Sequence, residues 1–484
     1  MFDVEIGAVL LIVLHAAIVF VSAVYIAGNR RPSAAIAWVL AIIFIPYLGA
    51  LAFFLVGFGR LPRRRRDKQR EVNELILART HGLEQLSHRD EWPEWLVSAV
   101  GLNRNLGALP MVGGNRAELL PDYHGSIAAM TEAVDLATEY VHVQFYILVR
   151  DSVTQPLFDA LARARARGVR VNVLSDHLAG LRLPRRKETL AAFEEMGAQW
   201  RAMLPLRPFR GQWRRPDLRN HRKLLVVDGR VGFTGSQNLI DSSYLKPANI
   251  RRGLHWHELM MKLEGPVVRE LNAVFITDWY SETDELLPFD ESPVVVDAAP
   301  DLLDAQVLPS GPSFENDNNL KLYALLIHKA ERRVSITSPY FVPEESTMLA
   351  IVTAAARGVQ VELFASAIGD QALVYHAQRS YYEELLRAGV SIYLYREPTV
   401  LHSKHFSIDD EIAVVGSSNM DIRSFSLNME VSVLVHGREF VDRLRLIEDD
   451  YRANSDRLEL DDWLNRALPA KVGDNLARLT SALQ

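Results

Sequence analysis

Cysteine is absent from all 484 residues, which excludes disulfides, thiolate metal sites and cysteine nucleophiles together. That absence does not locate the protein, because a cysteine-free chain tolerates any redox compartment. Charge is scarce in one region only. Ile6 to Ala27 holds a single side chain that ionises near neutral pH, His15, and Ala34 to Phe58 holds none. Over the whole chain 24% of residues are charged and the net charge is -6, a balance that excludes a disordered chain. The mild acidity also argues against a surface built throughout for nucleic acid. No Gly-x4-Gly-Lys-Ser/Thr loop is present, so nucleotide-driven chemistry is not indicated. The best metal-like cluster, His255-Trp256-His257-Glu258, lacks a zinc-protease pattern because Met261 stands where the second histidine is needed. No metal or other cofactor is expected.

The two charge-poor runs are each long enough to cross a hydrocarbon core, which takes about 20 residues. Gly28-Asn29-Arg30-Arg31-Pro32-Ser33 separates them as a polar turn. A signal peptide is disfavoured, since Asp3 and Glu5 replace the usual leading basic residues and a second apolar run follows at once. The expectation is a two-helix transmembrane hairpin over residues 1–66. Its basic flank, Arg60-Leu61-Pro62-Arg63-Arg64-Arg65-Arg66-Asp67-Lys68, outweighs Arg30 and Arg31. Basic flanks stay inside, which places the body on the cytoplasmic side and the turn outside. The same cluster suits anionic lipid headgroups.

Residues 67–109 read as a connector, with helical periodicity from Glu71 to Leu86. Beyond it the chain repeats itself. Tyr140 to Tyr146 and Arg333 to Tyr340 read as buried strands, each followed by a helix ending in Ala-Arg-Gly-Val (Ala166 to Val169, Ala356 to Val359). The glycines fit helix C-termini, and β-branched strands follow, so each unit reads as strand, helix, strand in a mixed or parallel sheet. The fold class is α/β in two halves, 110–290 and 305–450, with Pro288 to Pro312 as linker and 451–484 as a C-terminal helical segment.

Chemistry sits late in each half. The first contains His221, Lys223 and Asp228, then Gly235-Ser236-Gln237-Asn238; the second contains His402, Lys404 and Asp409, then Gly416-Ser417-Ser418-Asn419. Both obey His-x-Lys-x4-Asp followed by Gly-Ser-x-Asn at one spacing. On a strand, residues i and i+2 share a face, so each histidine pairs with its lysine. Two such surfaces meeting face to face suit a phosphodiester. The lysines, Ser236, Asn238, Ser417 and Asn419 can hold phosphate oxygens, while one histidine attacks phosphorus and the other protonates the leaving oxygen. Asp228 and Asp409 belong to the catalytic motif but sit at turns that favour aspartate locally. Glu258 and Glu430 lie among apolar neighbours, where the second nitrogen of a catalytic histidine is a natural partner and an ordinary structural ion pair the equal alternative. His405 is not assigned a catalytic role.

The duplicated motif resembles that of the phospholipase D superfamily. Leu218 to Gly229, Ser338-Pro339-Tyr340-Phe341-Val342-Pro343 and Leu401 to Lys404 resemble bacterial cardiolipin synthases, as does the N-terminal segment with Pro46, Gly49 and Gly57. The resemblance implies two phospholipase D-like α/β sandwich halves related by pseudo-two-fold symmetry. It also implies phosphatidyl transfer between two phosphatidylglycerol molecules through a phosphatidyl-histidine, giving cardiolipin and glycerol at a bacterial inner membrane. It assigns His221 as nucleophile, His402 as acid then base, and Glu430, with Glu258 its counterpart, as the histidine-supporting acids. A glutamate at 258 departs from the aspartate such proteins often carry.

Three readings stay open from the residues alone: a lipid transferase; a phospholipase or nuclease on the same scaffold, with water as acceptor; and a non-catalytic binder of anionic headgroups. The paired motifs disfavour the last, and the membrane segment disfavours a nuclease. Membrane phospholipids and the bilayer are the expected partners. At the C-terminus, Phe440, Leu444, Ile447 and Tyr451, then Leu476, Leu479 and Leu483, repeat at helical spacing, which reads as helices packed on the core, with contact to a membrane surface as the alternative that the sequence leaves open.

Overall fold

A computed structural model describes residues 2–29, 32–56, 87–207, 215–289 and 302–479, apart from 108, 313, 315 and 316, together with 67, 68, 71 and 74. The basic flank at 60–66, most of the helix expected at 71–86, the 290–301 stretch and Leu483 lie outside the described residues. The chain divides into two compact units, residues 1–60 with 215–217 and the remainder.

In the N-terminal unit the first apolar run is one helix, Phe2–Asn29, of 28 residues. The second run is not a single span. It forms two helices, Pro32–Phe44 and Pro46–Val56, of 13 and 11 residues. Proline has no N–H to give the carbonyl four residues back and its ring crowds that carbonyl, so the helix breaks at Pro46. One described helix is therefore long enough to cross a membrane, Val9–Gly28 by composition, and the expected two-helix hairpin is replaced by one long helix and a broken one.

The body's strands, in chain order, are β1 (Val112–Leu120), β2 (Tyr140–Phe145), β3 (Arg170–Asp176), β4 (Gln199–Met203), β5 (Lys223–Val227), β6 (Val231–Gly235), β7 (His255–His257) and β8 (Met260–Glu264). Then follow β9 (Leu303–Ser310), β10 (Arg333–Thr337), β11 (Phe341–Val342), β12 (Gln360–Ser366), β13 (Ser391–Tyr395), β14 (Thr399–Leu401), β15 (His405–Ile408), β16 (Ile412–Gly416), β17 (Met420–Asp421), β18 (Glu430–His436) and β19 (Ser455–Leu458). Fifteen of them make one sheet, ordered β19-β13-β12-β10-β15-β16-β18-β9-β1-β8-β6-β5-β2-β3-β4. Read outward from the centre, the two halves have the same order, β1-β8-β6-β5-β2-β3-β4 against β9-β18-β16-β15-β10-β12-β13. The repeat seen in sequence is thus a repeat of topology.

Three boundaries move. Leu303–Ser310, inside the expected linker, is a fully buried strand at the seam, antiparallel to both β1 and β18. Its alternation Ala305, Val307 sends methyl groups into one core that also holds Val112, Leu263 and Val431, so the halves share apolar packing across the seam. The expected connector contains a helix, Glu94–Asn105, that docks on the second half through Leu96 and Ala99. Asn103 donates to Gln306 at 2.9 Å, and Gln306 donates to the Leu109 carbonyl at 2.6 Å, which links two buried amides at the seam. Beyond residue 450, Ser455–Leu458 adds a strand beside β13.

Asp228 and Asp409 occupy the turns after β5 and β15, both with φ of 50°, a left-handed value that aspartate tolerates. Asp228 accepts from the backbone N–H groups of Thr138, Glu139 and Tyr140 at 2.7–2.9 Å. Asp409 accepts likewise from Glu331, Arg332 and Arg333. Each carboxylate fixes the start of the neighbouring strand. Five strand residues place it on the order of 16 Å from its motif lysine. Their expected place among the catalytic residues is therefore corrected: the tight turn uses the carboxylate for backbone amides. Asp409→Ala should lower unfolding stability by roughly 1–2 kcal/mol, since it removes three backbone hydrogen bonds to a carboxylate, two of them open to water. A thermal melt in detergent should show the loss, with activity per folded molecule retained.

Candidate active site

Each motif histidine precedes its strand and leaves the sheet to pair with the opposite half. His221 N–H donates to the Met429 carbonyl and Met429 N–H to the Arg219 carbonyl, both at 2.8 Å. In the mirror arrangement β14 runs parallel to β7, and His402 N–H donates to the His257 carbonyl at 2.8 Å. In both cases the accepting carbonyl belongs to the residue just before a glutamate. The carboxylate that meets each imidazole therefore comes from the other half. His221 Nδ1 lies 3.0 Å from both oxygens of Glu430, and His402 Nδ1 lies 2.8 Å from Glu258 Oε1. An ionised carboxylate only accepts, so Nδ1 carries the hydrogen and Nε2 keeps the lone pair. Glu258 reaches its histidine despite the longer side chain at that position.

The lysines stand on the same face as their histidines. Lys223 Nζ donates to the His221 carbonyl and Lys404 Nζ to the His402 carbonyl, each at 2.7 Å. Lys404 also sits 3.1 and 3.3 Å from the two ring nitrogens of His402. The intervening residues point away and differ. Arg222 is buried, donates to the Glu430 carbonyl at 2.9 Å and pairs with Asp278, whereas Ser403 accepts from Tyr451 at 3.0 Å.

The Gly-Ser-x-Asn segments serve the glutamates more than an open phosphate site. A Cβ on Gly416 would overlap the Val431 carbonyl, and one on Gly235 the Leu259 carbonyl, so glycine lets the glutamate strands come close. Ser417 donates to Glu430 and accepts from Val431 N–H at 3.0 Å. Ser236 accepts from Leu259 N–H at 2.9 Å and supports Glu258. Asn238 donates to Tyr244 at 2.9 Å and accepts from Ile147 N–H at 3.2 Å. Asn419 keeps a buried Oδ1 with no partner among the described residues. Of the four residues expected at phosphate, the two serines and Asn238 thus have protein partners.

Burial dominates the electrostatics. It lowers His221 to about 4, with Glu430 opposing and Lys223 assisting, and lowers His402 in the same direction. Burial also lowers Lys223 to about 7 and Lys404 to about 8. For Glu430 burial acts upward, but His221, Lys223 and Ser417 outweigh it and hold the carboxyl below its usual value. Glu258 behaves alike through His402, Lys404 and Ser236. Lys404 acts on His221 and Lys223, and Glu258 on Lys223, so the two motifs share one field.

Other residues fall in and out of the site. Tyr146 stands edge-on to His221 with centroids 5.0 Å apart, and Tyr340 to His402 at 5.9 Å. Tyr244 donates to Glu258 at 3.3 Å. These tyrosines escape a motif search, although Tyr146 and Tyr340 both follow the first strand of their repeat, a usable signal. The metal-like cluster disperses: His255 meets Thr399 at 2.9 Å, His257 stacks on Tyr395, and Glu258 turns to His402. His405 is fully buried near Glu448, away from the site.

Comparison with known proteins then decides the family. The family model described as cardiolipin synthase, PLD-like domain, matches residues 130–279 and 323–447. Cardiolipin synthase A of Proteus mirabilis (strain HI4320) is 31% identical over 94% of both chains. The chain belongs to the cardiolipin synthase family of the phospholipase D superfamily. Family membership makes it a phosphatidyltransferase. Cardiolipin synthase of Geobacillus thermodenitrificans (strain NG80-2) is 30% identical over 98% of this chain and 93% of its own. A phospholipase D-nuclease N-terminal model matches residues 17–57. Phosphatidylserine synthase of Haemophilus influenzae Rd KW20 shares the fold, with a TM-score of 0.60 at 14% identity, covering 80% of this chain and all of that one.

The crossed pairing in this cardiolipin synthase fold is testable. Because Glu430 raises the His221 pKa, Glu430→Gln should lower it further and leave His402 unmoved, and Glu258→Gln should do the reverse. Histidine ¹⁵N spectra of full-length protein in detergent would read both rings. Pairing within each half would give the opposite pattern.

Proposed function

We propose that this enzyme joins two phosphatidylglycerol molecules into cardiolipin, releasing glycerol, through a phosphatidyl-His221 intermediate. The crossed histidine–glutamate pairs, set beside two buried lysines, carry this reading. His221 Nε2 has no protein hydrogen bond among the described residues, and the depressed pKa keeps its lone pair free at neutral pH. Nε2 attacks phosphorus, the bond from phosphorus to the glycerol oxygen breaks, and His402 gives that oxygen its proton. The incoming phosphodiester brings the negative charge that favours the protonated form of His402. In the second half-reaction a terminal hydroxyl of another phosphatidylglycerol attacks phosphorus, His402 takes its proton, and the P–N bond to His221 breaks. Lys223 and Lys404 hold the phosphate and stabilise charge at the pentacoordinate stage. Glu430 and Glu258 keep each ring in the required tautomer. The N-terminal unit anchors the enzyme in a bacterial inner membrane with the body on the cytoplasmic side, in keeping with the basic residues that follow it.

The test is a product assay in mixed micelles of detergent and phosphatidylglycerol. Wild type should yield cardiolipin and glycerol together. His221→Ala and His402→Ala should each lose roughly 10²–10⁴-fold or more in rate. Phosphatidic acid as main product would overturn transfer in favour of hydrolysis. The pH profile follows from the lysines, which are charged below about 7 and about 8 and neutral above. kcat/KM should therefore fall as pH rises through that range, and Lys404→Arg should flatten the fall because a guanidinium stays charged.

A further inference from the structure

The helix Leu468–Arg478 is built inside out. On its inner face Asp474 is buried and takes Arg466 at 2.6 Å and His376 at 2.8 Å. On its outer face Leu468, Val472, Leu476 and Leu479 are 72, 48, 59 and 81% exposed. Spacings of four, four and three place these side chains on one stripe. The sequence pattern fits packing on the core and contact with a membrane surface alike, and the structure puts these residues in the open. The helix packs on Ala372–Arg379, which bears the exposed Leu373 and lines the cleft at His402 with Tyr375 and Gln378. The helix that bears the stripe thus packs on an element that lines the cleft.

We infer that this stripe rests on the bilayer and holds the cleft against the surface that supplies lipid substrate. The inference rests on the lipid-transfer reading. Four apolar side chains, with Lys471 and Arg478 on the same helix, match the chemistry of an interfacial helix on an anionic leaflet. The cysteine-free chain makes the test direct. Leu476→Cys in the full-length enzyme, labelled with an environment-sensitive fluorophore and placed in phosphatidylglycerol vesicles, should shift blue and be quenched by doxyl-labelled lipid. Asp461→Cys should instead be quenched by aqueous iodide. Iodide quenching at 476 without lipid quenching would overturn the inference, as would shielding that scales with protein density, the mark of a second copy. Cardiolipin production by the labelled protein separates failure here from failure of the functional reading. Leu468→Ser with Leu479→Ser should raise KM severalfold with kcat kept.

A second observation stands independently in the N-terminal unit. The helices 32–44 and 46–56 fold back on each other: a Cβ on Gly49 would lie 2.7 Å from the Ala41 carbonyl, eight residues earlier. Trp38 and Phe53, about equally far from the break, meet edge-on at 5.3 Å, and Phe53 also meets Tyr25 at 6.2 Å. Tyr25 lies one turn from the end of the long helix and Phe53 within one turn of Val56, so the chain returns to the level it left at Asn29. At the apex Phe44, Ile45, Tyr47 and Leu48 are exposed, a surface suited to hydrocarbon. Helices of 13 and 11 residues reach about 20 and 16 Å, short of a core about 30 Å thick.

We infer that the second run enters the membrane and leaves on the same side. Arg30 and Arg31 then share the cytoplasmic face with the Arg60–Lys68 cluster, and the acidic N-terminus lies outside, in fuller agreement with the bias of basic residues. Single cysteines at Phe2→Cys, Ser33→Cys and Gln69→Cys, probed in spheroplasts with an impermeant maleimide, should label at 2 only, with 33 and 69 reacting after permeabilisation. Labelling at 33, or protection at 2, would overturn the inference in favour of two full spans.

Discussion

The site depends on one interaction repeated twice, the hydrogen bond from each motif histidine to a glutamate of the opposite half. Two other features follow from it. The segments bearing His221 and His402 must leave their own halves, which they do through short parallel pairings with residues before Glu430 and Glu258. The halves must also be held in fixed register, and β9 does this by pairing with β1 on one edge and β18 on the other. A slip of one residue along β18 would turn Glu430 to the wrong face. Neither half by itself holds a motif histidine together with the carboxylate that meets it.

Burying this many ionisable groups is costly, and the structure offsets the cost by pairing them. Two imidazoles, two ammonium groups and two carboxylates lie within one shielded region, where each charge answers the others. Lone buried charges would neutralise themselves or unfold the site. The arrangement also fits an anionic ligand. With burial depressing both lysines and both histidines, a phosphodiester supplies negative charge to a place where positive charge is held at a disadvantage.

The repeat is close in topology and uneven in detail. Glu430 is met by both Ser417 and Asn428, while Glu258 is met by Tyr244, itself tied to Asn238. Lys404 reaches its histidine ring, and Lys223 faces the Tyr146 ring. Arg222 binds the seam where Ser403 meets Tyr451. These differences give two chemically similar histidines different surroundings.

Much was legible in sequence because it is local. Strand periodicity, the repeated Ala-Arg-Gly-Val ends and the motif spacing depend on neighbours along the chain, so they announce an α/β repeat and a two-histidine site directly. The apolar runs declare themselves by composition. Tertiary structure alone decided what depends on distant partners. Glu258 and Glu430 are recognisable as histidine partners, but which ring each meets is set by pairings across 144 and 209 positions. Asp228 and Asp409 belong to the motif in sequence and to the turns in space, because their nearest donors come from strands some 80 residues away. Leu303–Ser310 lies in a stretch with the acids and prolines of a linker, carrying Asp304 and Pro309 itself, and only its neighbours β1 and β18 make it a strand. The stripe on Leu468–Arg478 has a spacing that fits a core helix and a surface helix alike. Its apolar face turns outward because the buried Asp474 ion pairs hold the other face down.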